Sequence, residues 1–434
     1  MLDQDTIYAP SSGMGSAAIS VIRLSGPAAH AVISELTGRD LPLPRQIAVR
    51  KIHDADGQVL DEAVVVVFDK GASFTGEAMA EIQCHGGRAV VGSILERIGE
   101  MPECRLAEPG EFTRRALLSG RIGLTEAEGL ADLVAAETRL QQRQAMAVMS
   151  GGLGRMVENW RAELIRARAL IEATIDWADE DVPEDVGPEV EGLLRGLVSD
   201  FSHELERGLK AEKLRNGIEV AIIGPPNAGK SSLLNAIAGR DAAIVSEQAG
   251  TTRDVIEVRV DLGGLLVVFL DTAGLRETSD GVEAEGVARA MRRAEAAEMR
   301  LHLNSVDTVP SDGGDLWQDG DIAVWSKSDL GQGEGDIAIS VGDSGSVGRL
   351  LEMVQNRLGQ RSYGEGLAGH QRQREALQQV LVVVEACLDG FADRAAEELA
   401  EDLRSAVSAL DRLSGRLDVE DVLDVVFGSF CLGK

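Results

Sequence analysis

The stretch GPPNAGKSS, residues 224–232, has the spacing of a phosphate-binding loop, with Gly224, Gly229, Lys230 and Ser231 lying between an apolar run and the helix-forming SSLLNAIAG. Glycines let main-chain N–H groups approach phosphate oxygens, Lys230 can reach the β and γ phosphates, and Ser231 offers a hydroxyl to Mg²⁺. Further along, AGTTRD can present Thr252 to the same metal, and FLDTAG ends a β run that brings Asp271 and the Gly274 amide near Mg²⁺ and the γ-phosphate. DTAG alone is a weak signal; in register with the phosphate loop it is a strong one. VWSKSDL would then read the base: Asp329 can pair with guanine N1 and its exocyclic amine, and Lys327 can pack over the loop.

Three departures from this pattern predict a weakened nucleotide affinity. Ser326 stands where an amide side chain is expected, Val341 follows Ser340 in ISVGDSG where the usual pair is Ser-Ala, and His302 and Asn304 interrupt a run that should be a buried strand. Leu275 follows DTAG in place of a water-orienting glutamine, so hydrolysis needs another device. A monovalent cation held near Asn227 could supply the electrostatic part.

The surrounding sequence must position these residues. AISVIRLSG alternates like a strand, AVVVVF follows the turn Asp56-Gly57, and AEIQCHGGRAVVGSILERIG reads strand, glycine turn, helix, so residues 1–118 form an α+β domain. TEAEGLADLVAAETRLQQRQAMAVM and VENWRAELIRARALIEATIDW repeat apolar residues at three and four, predicting long amphipathic helices over 119–214. Strands alternating with helices over 215–362 predict a parallel, doubly wound α/β domain inserted before a second helical segment, 363–434. The acidic run DWADEDVPED, from residue 176, reads as solvated surface or linker.

The chain has 434 residues, 44% of them hydrophobic, enough for several cores, and no run of eighteen apolar residues. Cys84, Cys104, Cys387 and Cys431 lack CxxC spacing, which argues against a zinc site or a disulfide framework and for a reducing, cytoplasmic setting. The net charge of −29 repels polyanions, so any nucleic-acid contact must be local or assisted.

GPPNAGKSS, AGTTRD, DTAGLRETSDGVE and the terminal FCLGK together resemble one family, the bacterial tRNA modification GTPases called MnmE or TrmE, and VIRLSG, SFTGE, CHGG and PGEFTRRA extend the resemblance along the whole chain. The resemblance implies a folate-binding, dimerising N-terminal domain, a discontinuous all-α helical domain and an inserted Ras-like P-loop G domain. It implies a homodimer whose G domains pair in a potassium-dependent way. It also implies a flavin-bearing (FAD) partner, MnmG, with which the family builds an aminomethyl or carboxymethylaminomethyl group on the wobble uridine of tRNA from a one-carbon tetrahydrofolate.

Residue by residue, the resemblance assigns GTP contacts to Asn227, Ala228, Gly229, Lys230, Ser231 and Ser232, and to Ser246, Glu247, Gln248, Ala249, Gly250, Thr251 and Thr252. It adds Asp271, Thr272, Ala273 and Gly274, and Ser326, Lys327, Ser328 and Asp329. Mg²⁺ falls to Ser231 and Thr252, potassium to Asn227, Ser246, Gln248 and Thr251, and the water-orienting carboxylate to Glu283. Folate falls to Arg23, Glu77, Arg121 and Lys434. A carboxylate such as Glu77 suits a pterin's paired donors, and arginine or lysine suits the anionic glutamate tail.

Cys431, carried by a final helix EDVLDVVFGSF, is followed by a charged terminus unlike a prenylation signal. It is either a thiol at the modification chemistry or a structural residue, and the other cysteines read as core. RNA contact would fall to MnmG or to a local patch such as Arg114 and Arg115. Two competing readings are a ribosome-assembly GTPase with little catalysis, which would lack the folate motifs, and a structural dimer that no longer cycles.

Overall fold

The computed structural model describes residues 5–13, 15, 17–176, 186–240, 242–244, 257–271, 291–308, 316–361, 363–364, 366–417 and 433. Two compact units emerge, one of Met1–Ala131, Gly154–Asn159 and Val407–Lys434, the other of Asp132–Leu153 and Trp160–Ala406.

The first unit is built on a six-stranded sheet in the order β3-β4-β5-β2-β1-β6. Its strands are β1 (Thr6–Pro10), β2 (Ile19–Ser25), β3 (Ala48–His53), β4 (Val59–Phe68), β5 (Met79–His85) and β6 (Cys104–Leu106). Alternation along β2 and β5 buries Ile22, Leu24, Ala80 and Ile82 against helices α1 (Ala29–Thr37) and α2 (Arg88–Gly99). The opposite side of the sheet is left to Arg23 and Glu81, which face each other across the β2–β5 ladder. Helix α3 (Glu111–Leu118) follows β6 and buries Phe112 against Ile7 and Ala9 of β1.

Helices then take over: α4 (Leu124–Ala135), α5 (Arg139–Met149), α6 (Gly152–Asp176) and α7 (Gly187–Asn216). The amphipathic run expected to be one helix from Thr125 to Met149 is broken before Thr138, whose side chain accepts the Gln141 N–H while the Gln141 side chain accepts the Thr138 N–H. This reciprocal cap starts a new helix inside an unbroken apolar pattern.

A seven-stranded sheet follows in the second unit, ordered β13-β12-β11-β7-β10-β9-β8. Strands β7 (Ile218–Ile223), β10 (Leu265–Asp271), β11 (Met299–Ser305), β12 (Ile322–Ser326) and β13 (Ile337–Ala338) run parallel, and β9 (Glu257–Leu262) and β8 (Ala243–Ile244) form the antiparallel edge. Every residue of β10 is buried, as a near-continuous apolar run requires when both faces are covered. Helices α8 (Lys230–Ala238) and α9 (Ser344–Gly359) pack on this core. Because β10 and β11 flank β7 on opposite sides, the chain reverses its winding at β7, where such sheets bind ligands beyond their carboxyl ends.

The chain returns to helix in α10 (Gln371–Asp389), which pairs with α7, and α11 (Ala396–Ser414). Among the described residues no helix is long and apolar enough to cross a membrane.

The odd strand β11 packs normally. Arg300 and Asp321, 1% and 2% exposed, form a buried ion pair at 2.8 Å, and His302 Nε2 lies 3.1 Å from the same carboxylate with its ring against Trp317. Of the two residues that interrupt the apolar run, His302 is thus satisfied by Asp321, the residue immediately before β12, while Asn304 lends its main-chain carbonyl to Ser326.

Candidate functional site

Residues 224–229 leave β7 and turn into α8. Gly224 has φ 156°, and a Cβ there would lie 2.4 Å from the Leu303 carbonyl, so the loop passes β11 too closely for any side chain. Asn227 adopts φ 65° and is exposed, while Ala228 is fully buried beneath it. Lys230, 7% exposed, turns its ammonium back on the loop and donates to the carbonyls of Gly224 at 2.6 Å and Pro225 at 3.0 Å. Burial presses its pKa below the ordinary lysine value, and the Asp271 carboxylate opposes that shift.

Ser231 Oγ donates to Asp271 Oδ2 at 2.6 Å. The hydroxyl at the start of α8 and the carboxylate at the end of β10 thus converge beside the loop, and this pair of hard oxygen donors fits Mg²⁺.

The base-reading segment lies next to the same loop. Ser326 Oγ is 2.5 Å from the Ala228 carbonyl and 3.2 Å from that of Asn304. Lys327, at φ 54°, pairs through its ammonium with Asp307 at 2.7 Å, which pulls that carboxyl down to about 2. Ser328 N–H donates to the Ile339 carbonyl, and Asp329 is exposed.

In the first unit the turn 71–77 gathers three of the residues expected to hold folate. Arg23 pairs with Glu81 at 2.9 Å and lies 5.9 Å from the Phe74 ring and 5.8 Å from the Phe112 ring. Glu77 accepts from Ser25 Oγ at 2.7 Å and from Arg115 at 3.3 Å. Arg121 donates to the Gly71 carbonyl, and its side chain passes Gly76. The chain terminus reaches the same sheet: the Gly433 carbonyl accepts from Ser11 Oγ at 3.0 Å, and a Cβ on Gly433 (φ 89°) would lie 2.0 Å from the Pro10 carbonyl. A guanidinium over two rings, a carboxylate and a second guanidinium form a donor set that suits a fused heterocycle with an anionic tail.

One expectation is corrected here. Arg115 is 4% exposed and spent on Asp5 (2.8 Å), Glu111 (2.9 Å) and Glu77, so it cannot form an RNA-facing patch with Arg114. Burial works against its charge, yet Glu111, Asp5 and Glu77 outweigh burial and raise its pKa. Arg105 joins the cluster through Glu111 at 2.6 Å and through Asp5. The structural importance of Asp5, Glu111 and Arg115 was not anticipated; the one signal available was the i, i+4 spacing of Glu111 and Arg115 in PGEFTRRA. Of the cysteines read as core, Cys84 and Cys387 are buried and Cys104 is half-buried.

Ser246, Glu247, Gln248, Ala249, Gly250, Thr251, Thr252, Thr272, Ala273, Gly274, Leu275, Glu283, Cys431 and Lys434 lie outside the described residues, as do the acidic run from 177 and the final helix.

A family model described as "GTP-binding protein TrmE N-terminus" matches residues 6–121, and one described as "MnmE helical domain" matches residues 124–431. Three curated proteins named tRNA modification GTPase MnmE are similar along their entire length. The protein from Cereibacter sphaeroides is 50% identical over 434 residues, that from Roseobacter denitrificans 50% over 444, and that from Paracoccus denitrificans 51% over 430; each match spans 99% of this chain and 100% of the relative.

Proposed function

We infer the function from one premise: the chain belongs to the MnmE (TrmE) family of tRNA modification GTPases. It hydrolyses GTP in the service of tRNA modification. In our reading it acts as a homodimer with the flavoprotein MnmG, in the cytoplasm, building the aminomethyl or carboxymethylaminomethyl group on wobble uridine from a one-carbon tetrahydrofolate. The division into 1–118, 119–214, 215–362 and 363–434 is the domain organisation this reading uses.

The observation that carries the reading is the Ser231–Asp271 contact at 2.6 Å beside the phosphate loop. On binding GTP, Lys230 gives up the Gly224 and Pro225 carbonyls for phosphate oxygens, and main-chain N–H groups of 227–232 cradle the phosphates. Ser231 and Thr252 would hold Mg²⁺, with the Asp271 carboxylate beside Ser231. When bound, Mg²⁺ neutralises charge on the β and γ phosphates. Asn227, Ser246, Gln248 and Thr251 would hold potassium, and Glu283 would orient the attacking water.

Arg23, Glu77, Arg121 and Lys434 hold folate, with Arg115 and Ser25 fixing the Glu77 carboxylate. Cys431 precedes Gly433 by two residues in sequence, and we assign its thiol to the neighbourhood of the modification chemistry. The exposed Ile47 and Val49 at the β3 edge support a surface for the second copy.

The test is GTP turnover by the full chain. Lys230→Ala lowers kcat/KM by at least about 100-fold, while the melting temperature moves little. Wild-type turnover in potassium exceeds that in sodium by about tenfold or more. Equal rates in the two salts would remove the potassium assignment, and an active Lys230→Ala would remove the phosphate-loop assignment.

A further inference from the structure

Ser326 ends β12 with its side chain 1% exposed. Its Oγ meets two main-chain carbonyls, Ala228 of the phosphate loop at 2.5 Å and Asn304 at the end of β11 at 3.2 Å. A hydroxyl carries one proton, and both of these partners are acceptors. The proton is therefore spent on the main chain, leaving Ser326 no donor to offer a base. Guanine N7 is an acceptor and can be read only by a donor. Asp329 differs in kind: it is exposed, and its carboxylate can accept from the N1–H and the exocyclic amine.

From this division of labour we propose that Ser326 is a positioning residue. It fastens the base-reading segment to the phosphate loop through Ala228, and it leaves guanine N7 unread. The proposal deepens the nucleotide-site reading given above and rests on it. The phosphate and base contacts are then held at a fixed spacing by one hydrogen bond between main chain and side chain, so loss of that bond weakens every purine diphosphate alike.

The experiment measures dissociation constants of GDP and 7-deaza-GDP for the full chain. Wild type binds the two within about twofold, because no donor from residue 326 faces N7. Ser326→Ala weakens both by a common factor of about ten, and Ser326→Thr, which keeps the hydroxyl, returns both to within about threefold of wild type. Wild-type preference for GDP over 7-deaza-GDP of about tenfold or more, or a Ser326→Ala affinity equal to wild type, would overturn the proposal. The wild-type comparison stands whether or not the alanine variant folds. Failure of wild type to bind either diphosphate would instead strike the nucleotide-site reading itself.

Discussion

Asp321 holds together more of the inserted domain than its place in sequence suggests. Its carboxylate accepts from the Arg300 N–H and guanidinium, from the Gln318 N–H and, at 3.1 Å, from His302. Asp321→Ala strands the Arg300 charge in the core and costs about 3–5 kcal/mol, read as a loss in denaturant midpoint. Burial pushes the Asp321 carboxyl up, but Arg300, the two backbone N–H groups and His302 outweigh it and hold it below the ordinary aspartate value. A carboxylate with a depressed folded pKa stabilises fully above its unfolded value, near about pH 4, and loses that contribution as pH falls through the folded value. The melting temperature of wild type is therefore flat above that range and drops below it, and Asp321→Asn shows a shallower acid limb. Glu111, held down by Arg105 and Arg115 against its burial, contributes with the same sign in the first unit. Sequence alone made His302 look like a flaw and Arg115 like a free cation. His302 was misread because its partner, Asp321, is remote in the chain; Arg115 has two remote partners, Asp5 and Glu77, and one local partner, Glu111, whose i, i+4 spacing is the only trace of the cluster in the sequence.

The first turn of α5 shows how helices meet the inserted sheet within the second unit. Glu137 pairs with Arg259 of β9 at 2.6 Å, Leu140 packs on Gly264 at the β9–β10 turn, and Gln141 Nε2 donates to the carbonyls of Leu214 and Arg215 at 3.1 and 3.0 Å. Gln141 thereby satisfies carbonyls at the end of α7 that have no helical partner. Gln141→Ala costs about 1–3 kcal/mol and raises hydrogen exchange in the strand that follows, β7. At the other side of this neck Glu298 binds Lys213 of the entering segment and Arg361 of the leaving one, and burial together with Glu298 pushes Tyr363 up to about 12. The strands and the α/β insertion were legible because alternation and the β7–loop–α8 motif are local. The break at Thr138 was not, because a capping box inside a continuous amphipathic pattern changes no apolar spacing.

For the whole molecule, the charge of −29 and the burial of Arg115 leave tRNA binding to a partner or to a small surface. The isolated chain should bind tRNA weakly, with affinity falling steeply as salt rises, and the proposed partner MnmG should strengthen it; tight, salt-insensitive binding by the chain alone would contradict this. The phosphate loop, the DTAG stretch that carries Asp271 and the SFTGE stretch that carries Glu77 were visible as motifs, since each is a short stretch with fixed residue types. The most direct measurement is nucleoside mass spectrometry of tRNA from cells lacking this chain, rescued with wild type or with Lys230→Ala. The account predicts that 5-aminomethyl-type wobble uridines vanish on deletion, return with wild type and stay absent with Lys230→Ala. Persistence of those uridines after deletion, or full rescue by the variant, would contradict it.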